Sequence, residues 1–274
     1  MSLTNTTRSE TTKQFTTAMW WILAIVLFAY VAFTATVLGF VFSASATGSL
    51  GGDGPQLPAE GLPALLYSTA TSIGYVFPLL IGTLMVTGEF RHKVLTPTFL
   101  ATPRRGTVLW AKILVGILLG ALYGVVGIVA AVGPAAAFLA GYDLDTELTS
   151  VDTWAMFGRM LLAYVLWVFI GIGVGALVRN QVGAIVGVLV FTQFLEPVAR
   201  AAASFVEGLS DATQYLPGAA SDALVGASVF SASMAATGDG PQQLEWWAGG
   251  AVLLGYAAVL VLLGYLFSWR RDVS

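Results

Sequence analysis

Cysteine is absent from this 274-residue chain, and histidine occurs once. The first absence excludes disulfides, thiolate metal sites and cysteine nucleophiles. The second removes most zinc chemistry and any serine–histidine pair within the apolar segments. Charge is scarce too. Asp, Glu, Lys and Arg make up 10% of the residues, against about 25% in a soluble domain. So few charges cannot coat a water-facing surface, which excludes an ordinary soluble enzyme and a disordered protein. A net charge of −3 gives no overall basic footprint and argues against a nucleic-acid partner. There is no G-x-x-x-x-G-K-S/T phosphate loop, so the chain is not expected to hydrolyse ATP by itself.

What is abundant is apolar sequence, 57% of the total. A bilayer core of about 30 Å needs roughly 20 apolar residues in a helix. Six segments meet or approach that length: Met19 to Ser43, Leu62 to Thr87, Val108 to Ala140, Trp154 to Val178, Val182 to Leu195, and Trp246 to Ser268. The expected fold is therefore all-α, a polytopic membrane protein with six spans over 19–268. The third segment is long enough to tilt, or to break near Gly133–Pro134. The first follows a polar leader and is longer than a signal-peptide core, so it is expected to remain as an anchor. The leader, 1–18, reads either as a short interfacial helix or as a disordered tail.

Charges alternate along the connections. Ten of the twelve basic residues lie in the leader (Arg8, Lys13), around the second-to-third connection (Arg91, Lys93, Arg104, Arg105, Lys112), at Arg179 and in the tail (Arg270, Arg271). The other connections hold Asp53, Glu60, Asp143, Asp145, Glu147, Asp152, Glu207, Asp211, Asp222, Asp239 and Glu245. Lys and Arg stay on the cytoplasmic side. Both termini, including the 269–274 tail, are thus expected in the cytoplasm of a cell-membrane protein. The ambiguous outer segment 197–245 reads as short helices on or in the outer leaflet, because a full extra span would turn the basic tail outward.

The second-to-third connection, 88–106, has an apolar stripe at Phe90, Val94 and Leu95 among basic residues, with Pro97 and Pro103 as punctuation. That spacing fits short amphipathic helices, whose apolar side calls for lipid or a protein partner. The run Gly88-Glu89-Phe90-Arg91, then Thr96 to Leu100, Thr102-Pro103-Arg104 and Lys112 resembles the signature of ABC-2 type transporter permeases, the membrane subunits of a class of ABC exporters. Tyr215-Leu216-Pro217 before the last span is also similar to that family. Lys93-Val94-Leu95-Thr96 stands where the family often has a Gly-Thr pair. The resemblance implies a second permease chain and a separate ATPase subunit, with ATP and Mg held by the partner and no cofactor on this chain. It also implies a coupling helix at 88–106. Glu89 would sit at its hinge, Phe90, Val94 and Leu95 would dock, and Arg91, His92, Arg104 and Arg105 would ring the contact.

Glycines recur at helical spacing: Gly116, Gly120 and Gly124; Gly171 and Gly175; Gly183 and Gly187. Small residues let helices approach closely in lipid. Near the outer end of the fifth segment, Glu196 and Arg200 stand at i and i+4, a spacing that allows a salt bridge. Arg159 is another available partner, and Gln193 could line a path beside them. A non-transporting membrane factor for assembly or immunity is the alternative function. An intramembrane enzyme would need paired carboxylates or a histidine within one span, and the spans offer neither.

Overall fold

The structure is a computed structural model that describes residues 2–49, 58–94, 98, 105–203, 209–229, 232 and 244–269. Among these residues every regular element is helical. Six stretches are long and apolar enough to cross a membrane: Met19–Ala46, Leu62–Arg91, Arg105–Gly141, Val151–Leu177, Gln181–Ala203 and Trp246–Phe267. A leader helix, α1 (Leu3–Phe15), precedes α2 (Met19–Ala46).

The second span is three pieces, α3 (Leu62–Tyr67), α4 (Thr69–Gly74) and α5 (Val76–Arg91). Pro78 explains the second break. Its ring has no N–H to give and crowds the carbonyl four residues back, at Gly74. At the first break the hydroxyls of Ser68, Thr69 and Thr71 bond to carbonyls three residues back, an arrangement that bends helices.

The third span, α6 (Arg105–Gly141), runs unbroken through Pro134, so the break considered at Gly133–Pro134 does not occur. The fourth is α7 (Val151–Leu177), opened by Ser150, whose hydroxyl accepts from the Asp152 N–H. The fifth is longer than its hydropathy suggested. It comprises α8 (Gln181–Val190), a π turn at Phe191–Leu195 and α9 (Glu196–Ala203). Pro197 accounts for the π turn, because it would clash with the Gln193 carbonyl in a regular α-helix. Short helices α10 (Leu209–Thr213) and α11 (Pro217–Val225) follow, then α12 (Trp246–Gly264), the sixth span, which passes into a π turn at Tyr265–Trp269.

The second and fourth spans are the centre of the bundle, 72% and 67% buried, whereas the first, fifth and sixth are only 22%, 22% and 17% buried. Contact between the two central spans is backbone-close. A Cβ on Gly171 would collide with the Leu79 carbonyl, and one on Gly175 would lie 2.6 Å from the Thr83 carbonyl oxygen. Gly120 packs on α7 in the same way, since a Cβ there would lie 2.6 Å from the Val165 Cα, and Gly116 and Gly124 face the α7 side chains. Gly183 and Gly187 differ. The first meets only Asn180, of its own helix end, and the second has nothing within 4 Å. Among the described residues of this chain they do not bring two helices together.

Exposed Trp21 and Trp110 lie at one end of the bundle, and exposed Trp154, Trp246 and Trp247 at the other. Such amphipathic rings settle at membrane–water boundaries. The first end carries α1, Arg91, Lys93, Arg105 and Arg179 and is termed the basic end. The second carries Asp143, Asp145, Glu147, Asp152 and Glu245 and is termed the acidic end.

Candidate functional site

At the basic end four charged side chains meet. Lys112, on the second turn of α6, is 0% exposed. Its Nζ lies 2.6 Å from Glu10 Oε2 and 2.9 Å from Glu89 Oε2. The first contact is a hydrogen bond, and the second is an ion pair outside hydrogen-bond angles. Lys13 completes the set, 2.7 Å from Glu10 Oε1 and 3.2 Å from Glu89 Oε1, and it also donates to Thr98 Oγ1. Two cations and two anions thus join α1, the end of α5 and the start of α6. Burial opposes ionisation of Glu10, but the ammonium groups of Lys112 and Lys13 prevail and hold its carboxyl below the ordinary 4.5.

The leader is therefore a helix docked on the bundle rather than a free tail. Its buried residues are Thr6 and Glu10. Polar contacts through Glu10 and Lys13 hold it to the bundle, together with Phe15, which packs on Trp20 at its end. Beside it lies a cleft of about 360 Å³, with Lys13, Glu89 and His92 on its polar side and Ile81, Leu84 and Met85 on its apolar side.

The predicted docking residues divide. Arg91 and His92 are exposed, Val94 is half-buried, and Phe90 is half-buried against the chain's own core. Arg91 donates to Gln181 Oε1 at 3.4 Å, tying this segment to the start of the fifth span. Arg105 is half-buried at the first turn of α6. Leu95 and Arg104 lie outside the described residues.

The turn after α5 is a Schellman closure, in which the Val94 N–H reaches the Glu89 carbonyl at 3.0 Å and the Lys93 N–H the Phe90 carbonyl at 3.3 Å. Lys93 occupies its left-handed position, with φ +54°. A lysine thus stands where a residue without a Cβ fits best.

At the acidic end, Glu196 and Arg200 do not bridge each other. Glu196 is buried and accepts from the Gly218 and Ala219 N–H groups at 2.6 and 3.1 Å. It thereby caps α11, where free N–H groups and the positive helix end favour a carboxylate. Among the described residues its Oε2 has no hydrogen-bond partner. Arg200 reaches Asp222 on the same helix at 2.8 Å. Burial pushes the Asp222 carboxyl above its ordinary value, and the Arg200 guanidinium only partly offsets that. Trp167 Nε1 donates to Ser221 Oγ at 3.1 Å. Helix α11 is thus enclosed by protein, with all but Ala219 of its nine residues buried.

Arg159 does not pair with Glu196. Its guanidinium stands 5.9 Å from the Trp246 ring centroid, within cation–π range. Gln193 is exposed, turned away from the buried Glu196. It does not join Glu196 in one lining.

Glu10, Lys13 and Asp222 carry these two clusters, and none stood out as a site residue in the sequence. The available signal was weak. Glu10 is the one acid in a leader with two basic residues, and Lys112 is a cation placed inside an apolar helix. Among the described residues no group of three or more metal-ligating side chains occurs. No family model matches the chain, and no curated protein matches it either.

Proposed function

We propose that the chain is the membrane-spanning permease subunit of an ABC exporter, working as a pair of such subunits with a separate ATPase. The observation that carries this reading is the pairing of Glu89 with Lys112, 2.9 Å apart. They are the two ends of the motif that resembles the ABC-2 signature. Their contact pins both roots of the 90–104 segment to the bundle, so that force applied there is delivered to the second and third spans together. In this reading the basic end faces the cytoplasm, and exposed Arg91 and Lys93, with His92 between them, present positive charge to the ATPase.

The test is purification of the native membrane complex with mass spectrometry of what co-elutes. An ATPase subunit is expected. His92→Glu with Lys93→Glu is expected to release it while membrane insertion is unchanged. A native complex with no nucleotide-hydrolysing subunit, or an ATPase that stays bound to that variant and to Phe90→Asp, overturns the proposal.

A further inference from the structure

A cavity of about 380 Å³ lies between the fifth span and the second, fourth and sixth. Its floor is Leu79, Trp167, Ile170 and the buried Ala184 and Val188; its rim includes Val178, Phe191 and Tyr256, each more than a third exposed. Along the fifth span it extends from Gly183 to Thr192, nine steps or about 13 Å of helix.

Three features define what fits. The first is the wall chemistry. Leu79, Ile170, Val174, Val188 and Leu260 line it with carbon. The Thr192 hydroxyl already donates to the Val188 carbonyl, and the Thr192 carbonyl already accepts from Tyr75. Water needs two or more polar partners to stay in such a space, so it is not the occupant.

The second is the wall shape. Gly183 and Gly187 keep the fifth span smooth on this side, and a Cβ at Gly187 would meet nothing within 4 Å. The opening is therefore a slot that no side chain plugs. The floor is rigid, because the Trp167 ring stacks 4.6 Å from Tyr75 and its N–H is bound by Ser221.

The third is location. The slot opens at the perimeter, between the two least-buried later spans. The medium beside six membrane-length apolar helices is lipid hydrocarbon. We infer that the slot is a binding site for one acyl chain of a membrane phospholipid, which enters sideways from the bilayer. This inference does not depend on the transport reading. A cavity that stayed empty would forfeit the dispersion contacts of its whole lining. An alkyl chain restores them without asking for any hydrogen bond.

Trp167 at the floor supplies the test. The full chain, with its other seven tryptophans changed to Phe, is reconstituted into bilayers of ordinary phosphatidylcholine and of phosphatidylcholine brominated along one acyl chain. Bromine quenches indole fluorescence only near contact. Trp167 is expected to lose most of its emission in the brominated bilayer, although the side chain is 1% exposed. Gly187→Phe, which fills the slot, is expected to restore it. A second measurement needs no tryptophan changes. Native mass spectrometry of the wild-type chain released from nanodiscs should retain a phospholipid that Gly187→Phe loses.

Equal Trp167 emission in both bilayers overturns the inference. So does efficient Gly187→Cys cross-linking between two copies, since a second chain would then cover the slot. The chain has no native cysteine to confuse that result.

Discussion

Lys112 is fully buried, yet it faces two carboxylates at 2.6 and 2.9 Å. Removing one partner of a buried ion pair leaves the other charge stranded, at a cost of about 3–5 kcal/mol. Lys112→Met is therefore expected to lower stability by that order in thermal or denaturant unfolding in micelles. Adding Glu10→Gln and Glu89→Gln to it should recover much of the loss, since the one charge then left in the cluster, Lys13, has its side chain 30% exposed and can be solvated.

The pH response follows from the same residues. Glu10 has a folded-state pKa below its ordinary 4.5. Its contribution is fully present above that value and is lost as pH falls through the depressed one. Asp222 has the opposite sign, because its pKa is raised above 3.8. Its burden on stability is absent while it is protonated and grows as pH rises through the raised value. Acidification below about pH 4 should loosen α1 first while α11 stays docked, as read by protease sensitivity of the leader against the 209–229 region.

Lys93 offers a simpler prediction. A left-handed conformation costs a non-glycine residue about 1–2 kcal/mol, so Lys93→Gly should stabilise the chain by roughly 1 kcal/mol after the entropy lost by introducing glycine.

At the scale of elements, glycine has two different meanings here. Gly171 lies against the Leu79 carbonyl, and Gly187 faces open space. Gly171→Val should cost at least about 1–3 kcal/mol through overpacking of the two central spans. Gly187→Ala should be neutral or favourable by up to about 1 kcal/mol through helix propensity alone. Unfolding midpoints of the two variants in one detergent make the comparison.

The spacing of these glycines was readable in the sequence, but what faced each one was not. Spacing is a local property, and the opposing helix is set by tertiary packing. Proline shows a similar limit. Pro78 and Pro197 each disrupt a span four residues back, at Gly74 and Gln193, and that rule could have been applied in advance. Pro134 obeys the same chemistry and leaves α6 whole. Neighbouring helices and local adjustment absorb its missing bond, as is common in membrane helices.

Over the whole molecule, the six spans were legible because hydropathy over about 20 residues is a strong signal. Their ends were less so. The fifth continues to Ala203, past Leu195, where its apolar run ends, and past the polar Glu196 and Arg200. Those charges are tolerated because Glu196 binds the α11 backbone and Arg200 binds Asp222. The ion cluster was not legible at all. Glu10 and Lys112 are 102 residues apart, and no periodicity links them.

The expected orientation is open to a direct check on this cysteine-free background. Cysteine at His92 should react with an impermeant maleimide only after the cytoplasmic side is made accessible. Cysteine at Asp152 should react in intact cells. The reverse pattern would invert the topology and remove the ATPase-facing role of the 88–106 segment.

Helix α6 has 37 residues and so measures about 55 Å, well beyond a hydrocarbon core of about 30 Å. One end is gripped by α1 through Lys112, and the other reaches the start of the 142–150 connection. A stiff lever of that length magnifies small rotations. Swinging it by about 5° displaces its far tip by about 5 Å. A push delivered beside Lys112 therefore needs no relay of side chains to be felt on the opposite face.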